Sequence, residues 1–196
     1  MNDANSSWGG RVTDEETPWY AVRLFTPRLR EVADWMADAG IDYFIPMEYR
    51  MVAKGEGRPV RTLMPVVRNL IFLRKDREER QFRTLVASVP YKLSVVRKGK
   101  ETWEYYEIPH RQMWEFQIMC NPEIELKRYL SEDEAKLKAG QPVEVKWGPL
   151  KGLTGKLVRA SKKYYLLKEV PGVGVMIKVS RWCCVPIKSK EKTKNQ

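Results

Sequence analysis

Apolar positions along the first two thirds of the chain switch repeatedly between a two-residue and a helical period, which predicts alternating strands and helices. The run Trp19-Tyr20-Ala21-Val22-Arg23-Leu24-Phe25 is dense in β-formers. After Pro27, Leu29, Val32, Ala33 and Met36 share one face of a helix that Gly40 stops. A second strand is expected over Tyr43-Phe44-Ile45-Pro46-Met47, then a long β excursion around Lys54-Gly55-Glu56-Gly57 and a return strand from Val66 to Leu73. Asp76 and Glu79 have the spacing of a capping box for a helix carrying Phe82, Leu85 and Val86, closed by Pro90. Lys98-Gly99-Lys100 marks a hairpin, and Pro109 suits the first turn of a helix with Met113, Phe116 and Cys120 inward.

The pattern changes after residue 120. Residues 121–138 are charged and lack a strong apolar period, so they read as an interdomain linker that permits relative motion, with Ser131 and Glu134 spaced to cap a short turn. Residues 139–187 hold five short strands punctuated by turns, expected to close into a small barrel without exposed sheet edges. Residues 1–17 are polar and read as a disordered arm, and 188–196 as a basic tail. The fold class expected is therefore α+β, with an α/β sandwich over 18–120 followed by a β-barrel.

Charge sharpens this division. Residues 1–138 carry 23 Lys+Arg against 22 Asp+Glu, whereas residues 139–196 carry 13 against 3. A near-neutral first part and a cationic second part point to a polyanionic partner for the latter, since clustered Lys and Arg gain counterion release on phosphate. No run approaches the length of a membrane span, and Met1 to Ser7 lack the charged and apolar regions of a signal peptide, so a cytoplasmic protein without a membrane partner is expected. Cys120, Cys183 and Cys184 suggest neither a disulfide framework nor a zinc module. The single histidine, His110, lies at a helix start without a Cys or Asp at triad spacing and reads as a capping or surface residue. Gly172-Val173-Gly174 has no helix after it and reads as a turn rather than a phosphate loop. No enzyme, cofactor or metal site is expected.

The segment Gly140-Gln-Pro-Val143-Glu-Val145-Lys-Trp147-Gly148-Pro149-Leu150-Lys-Gly152-Leu153-Thr-Gly155-Lys-Leu157-Val158 resembles the KOW motif of SH3-like barrels. Val143 and Val145 should point inward, Gly148-Pro149 should turn the chain, and Gly152 and Gly155 should allow close backbone approach. Upstream, Trp19-Tyr20-Ala21-Val22 with its helix, the strand Pro65 to Leu73 and the Ile108-Pro109 helix resemble a NusG N-terminal domain. Together the two segments resemble the NusG family over residues 19–187, closest to the specialised branch of RfaH- and UpxY-type antiterminators. Arg68-Asn69 stands where the family usually has Pro followed by Gly or Asn.

That resemblance implies a monomeric, non-enzymatic transcription elongation and antitermination factor, operon-specific in the manner of polysaccharide-type factors. Its first domain would sit on the clamp helices of the largest RNA polymerase subunit, near non-template DNA. Val67, Leu70 and Phe72 match the apolar clamp-facing positions, and Arg28 and Arg30 match the region that approaches the non-template strand. Alternation along the strand puts Leu70 and Phe72 on one face and Asn69, Ile71 and Leu73 on the other. If helices cover one side, the other is left exposed for a partner, rimmed by Arg68 and Arg74; the alternative is that a helix of the same domain buries them all. RNA, the ribosome or a termination factor are the partners implied for the KOW segment. Read instead as a ribosome-associated or RNA-binding KOW protein, the chain would grip phosphate with Lys146, Lys151, Lys156, Arg159, Lys162, Lys163 and Arg181, with Trp147, Tyr164 or Tyr165 either stacking on bases or filling the barrel core.

Overall fold

A computed structural model describes residues 17–53, 55 and 58–187. The arm expected over 1–17, apart from Thr17, and the tail 188–196 lie outside the described residues. The fold is α+β. In the first module, β1 (Trp19–Leu24) leads into α1 (Leu29–Asp38), followed by β2 (Tyr43–Phe44), the hairpin β3 (Met47–Val52) and β4 (Val60–Pro65), and β5 (Leu70–Arg74). Then come α2 (Glu79–Ser88), β6 (Leu93–Val95), β7 (Glu107–Ile108) and α3 (His110–Met119). Strands β2-β5-β1-β6 form one antiparallel sheet in that order, with β7 also pairing with β1.

Local chemistry sets several boundaries. Helix α1 buries Leu29, Val32, Ala33 and Met36 and ends in a Schellman arrangement: Gly40, at φ +70°, donates to the Ala37 carbonyl and Ile41 to that of Met36. The capping box expected from Asp76 and Glu79 does not form. Asp76 takes two hydrogen bonds from the neighbouring Arg77 guanidinium, at 2.7 and 2.8 Å, which hold its carboxyl below the usual aspartate range, and Glu78 becomes the N-cap without a side-chain bond. The return strand expected from Val66 is also shorter. Pro65 ends β4, residues 66–69 turn, and only Leu70 to Arg74 join the sheet.

The expected linker 121–138 contains secondary structure of the second module. Strand β8 (Lys127–Ser131) and helix α4 (Glu132–Leu137) precede β9 (Gln141–Val145), β10 (Thr154–Ala160), β11 (Lys163–Val170), β12 (Val173–Val179), a 3-10 turn over Arg181–Cys183 and β13 (Cys184–Pro186). Ser131 and Glu134 do form a complete capping box at the start of α4. The closed five-stranded barrel is corrected to a six-stranded sheet in the order β13-β9-β10-β11-β12-β8, with no ladder joining its ends among the described residues. Closure is replaced by the added strand: β8 pairs with β12 and covers the edge that a barrel would have closed. Val143 and Val145 are buried, and the Gly148 and Gly152 turn positions both have φ +89°.

Two main cores result. Tyr20, Val22, Leu24, Ile71 and Leu73 pack beneath α1 and α2. Trp19, Ala21, Leu70, Phe72 and Ile108 face the other way, into a core shared with α3 and with Val143, Val145, Leu166, Val170 and Val173 of the second module. Gly155 is fixed by close approach: a Cβ there would stand 2.5 Å from the Leu167 carbonyl oxygen across the β10 and β11 ladder. Gly155→Ala should therefore destabilise the chain by about 1–3 kcal/mol, read as a lower urea midpoint; an unchanged midpoint would show that the ladder can yield.

Candidate functional site

The apolar face of β1 and β5 is the natural place to look for a site, because alternation on these strands leaves one set of side chains turned away from α1 and α2. Leu70 and Phe72 do share that face, but both are buried, with exposures of 2% and 0%. The expected exposed patch is thus corrected. Phe72 lies under the first module's own helix, 5.8 Å between ring centroids from Phe116 and 6.3 Å from Phe44. Leu70 is covered differently: a Cβ placed on Gly172 of the second module would meet its methyl carbons at 2.9 and 3.0 Å. Val67 is half-buried in the turn before β5 and packs against the same core, while Arg68 is exposed.

Docking of the second module onto this face is polar as well as apolar. Glu115 of α3 is 1% exposed and points into the interface, where its carboxylate accepts from the Thr154 backbone N–H at 3.2 Å, from Thr154 Oγ1 at 2.8 Å and from Lys168 Nζ. Lys168 Nζ also donates to Thr154 Oγ1 at 3.1 Å, and Arg111 reaches Glu115 at 3.4 Å from the solvent side. One turn earlier, Gln112 Nε2 donates to the Glu169 carbonyl at 2.8 Å. A carboxylate and an ammonium this deeply buried require each other, since either alone would face the full desolvation cost.

A second node lies beside Leu70. Arg23, its partner in the β1 and β5 register, donates to Glu132 Oε2 at 2.9 Å, and the Gly172 N–H donates to the same oxygen at 2.9 Å. One carboxylate oxygen therefore joins the first sheet to the turn that covers Leu70. Burial opposes ionisation of Glu132, but the hydrogen bond from Lys136, together with those from Gly172 and the charge of Arg23, holds its carboxyl below the ordinary 4.5. A cleft of about 330 Å³ remains open at this junction, lined by Arg97, Lys98, Gln112, Lys136 and Glu169 among others.

The other expected residues lie elsewhere. Arg28 is the N-cap of α1 and pairs with Glu31 at 3.4 Å, and Arg30 is exposed on the same helix. Lys146 pairs with Glu144 at 2.8 Å and Lys156 with Glu169 at 2.6 Å. Lys151, Arg159, Lys162, Lys163 and Arg181 are exposed on the second module. Glu115, Thr154, Lys168, Arg23 and Glu132 were not expected at a site. Their signal is parity: Lys168 stands between Leu166 and Val170 on the inward side of its strand, where a charge needs a buried partner.

Among the described residues no cluster of three or more His, Cys, Asp or Glu side chains could hold a metal ion, and no helix is long and apolar enough to cross a membrane. No protein-family model matches the chain, and no curated protein matches it.

Glu115→Ala leaves Lys168 buried without its counter-charge, a loss of about 3–5 kcal/mol if the modules stay docked. Separation relieves it, so the radius of gyration from small-angle scattering should rise while far-UV circular dichroism stays constant; an unchanged radius and an unchanged urea midpoint would refute this role. Because the folded-state pKa of Glu132 is lowered, the stability it contributes is complete above the ordinary glutamate value and is lost as pH falls through the lowered one. The scattering radius should therefore be constant above pH 4.5 and increase only below it. Loosening that begins nearer neutrality would assign the docking to other groups.

Proposed function

We propose that this chain is a transcription elongation and antitermination factor of the NusG type, whose first module binds the clamp of RNA polymerase through the β5 face and whose second module covers that face at rest. The resemblance of residues 19–187 to that family supports the reading. The observation that carries it is the cover on Leu70: the side chain packs on Gly172 of the second module rather than on a helix of the first, and on this reading that cover is what polymerase displaces.

Phe72 serves this face from below, as a core residue that fixes β5 against α3, and the contact itself falls to Val67 and Leu70. The docking surface suits reversible use. Hydrogen-bonded charges such as Glu115 with Lys168 and Glu132 with Arg23 hold it in register, and interfaces between domains of one chain are generally more polar than permanent ones. Arg28 and Arg30 are exposed at the start of α1, and on this reading they are the residues that would meet non-template DNA. The assignment to the specialised, operon-specific branch rests on the wording of the β5 strand and its approach alone.

The test is capture of purified core RNA polymerase on the immobilised full chain. Wild type should capture weakly, Glu115→Ala should capture about tenfold more by releasing the second module, and adding Val67→Asp to that variant should remove the gain. A folded Glu115→Ala chain that captures no polymerase, or whose capture is indifferent to Val67→Asp, would sink the reading.

A further inference from the structure

The cleft at the junction of the two modules has walls drawn from both. On the first-module side, the Val96 N–H donates to the Ala21 carbonyl and the Tyr106 N–H to that of Val96, each at 2.9 Å, which fixes the chain that presents Val96, Arg97 and Tyr106 to the cleft. Facing them are Lys136 of α4, Glu169 and Val170 at the end of β11, and Pro171 of the turn that follows. Gln112 of α3 joins the two walls through its hydrogen bond to the Glu169 carbonyl. At about 330 Å³, the space lies at the lower end of the range of about 300–1,000 Å³ usual for small-molecule sites. It exists only while the modules are docked.

Most of the charge around this cleft is paired internally, and the remainder is specific. Lys98 pairs with Glu104 at 2.7 Å and Lys136 with Glu132 at 2.6 Å. Glu169 gives its Oε1 to Lys156 at 2.6 Å, but its Oε2 is buried and meets no hydrogen-bond donor among the described residues. A buried acceptor without a donor is a cost that native structures rarely carry. Arg97 makes no ion pair among the described residues; its guanidinium carbon lies 4.4 Å from the centroid of the Trp103 ring, a contact that uses none of its N–H groups. The first module thus contributes an unpaired guanidinium, the second an acceptor that lacks a donor, and Val96, Tyr106, Val170 and Pro171 supply apolar surface in the same cleft.

We propose that this cleft binds a nucleoside monophosphate. Its phosphate, with a charge of about −1.5 to −2 at neutral pH, pairs with the Arg97 guanidinium, and Lys98 and Lys136 add positive charge to the same lining. A base N–H donates to Glu169 Oε2, and the flat base lies against Tyr106 and Pro171. Both ends of the ligand are needed. Phosphate alone leaves Glu169 Oε2 without a donor, and a nucleoside alone leaves Arg97 without an anion. Because the contacts come from both modules, the ligand binds the docked form and stabilises it. On the polymerase reading above, it therefore lowers capture of polymerase; that consequence rests on the reading, whereas the binding does not.

The probe is guanosine 5′-monophosphate, titrated into the full chain by isothermal calorimetry. One-site saturation with a Kd below about 1 mM is expected, together with a rise in the urea midpoint of the chain. Arg97→Gln and Glu169→Gln should each weaken binding about tenfold or more, and circular dichroism should confirm that both variants remain folded. Lys163→Gln, an exposed residue outside the cleft lining, should leave the affinity unchanged. Guanosine and inorganic phosphate should each bind at least about tenfold more weakly than the nucleotide. Absence of saturation overturns the proposal, as does unchanged affinity in either cleft variant. Inorganic phosphate binding as well as the nucleotide also overturns it, since that marks unspecific attraction of anions to a cationic chain. Failure here with polymerase capture intact removes the cleft site and leaves the elongation reading standing; nucleotide binding that leaves polymerase capture unaltered keeps the site and counts against the reading.

Discussion

A strand in the middle of a sheet has two faces to keep from water, and β1 and β5 meet that requirement in two unlike ways. On one side Tyr20, Val22, Ile71 and Leu73 are covered by α1 and α2, helices joined to the sheet by short connections. On the other, α3 covers Phe72 but leaves Leu70 to the turn at Gly172, more than 100 residues later in the chain. Burying a leucine side chain is worth about 1.5–3 kcal/mol, so the uncovered strip supplies a standing drive for docking. Under the proposed function polymerase would use the same strip, so docking and partner binding would compete for one apolar surface, and the stability of the closed form would set how readily the partner is accepted.

The polar contacts decide how that competition is tuned. A buried ion pair adds little net stability compared with apolar packing, because desolvation offsets most of the attraction, yet it tolerates no misplacement. Glu115 receives the Thr154 N–H and hydroxyl as well as Lys168, and only one seating of β10 and β11 on α3 satisfies all of them. The trio thus specifies where the second module sits more than how tightly. Glu132 does the same at the other end of the interface, with Arg23 and the Gly172 N–H sharing one oxygen. Register is thus set by the polar contacts, while the apolar core shared by the two modules supplies the attraction.

Much of this was legible from residue order. The parity of Leu70 and Phe72 against Ile71 and Leu73 correctly assigned the two faces of β5, and Gly40, Gly155 and the Ser131 capping box behaved as their local chemistry requires. What covers a face is another matter, since alternation carries no information about distant segments. Asp76 lost its capping role to Arg77, the residue next to it, a competition that spacing rules do not weigh. Strand β8, Lys127-Arg128-Tyr129-Leu130-Ser131, is too charged to read as a strand; it forms because β12 offers an unpaired edge. Nothing in the sequence around Glu115 sets it apart from other polar helix residues, and only its meeting with Lys168 gives it a role.

The loss of the expected linker changes how release would work. Since β8 belongs to the second module's sheet, the free connection shrinks to residues 121–126, and even that segment is tethered: Lys127 Nζ donates to the Cys120 and Asn121 carbonyls, and Tyr129 donates to the Cys120 carbonyl at 3.3 Å. A lysine on the carbonyls of the C-cap Cys120 and of the residue after it also meets the negative end of α3. Six residues span at most about 20 Å when fully extended, so an undocked second module stays close to the face it left. Its effective concentration there is high and redocking is fast. A transient opening is then insufficient to expose Leu70 for long, and the closed form yields only to a competitor that itself covers the strip.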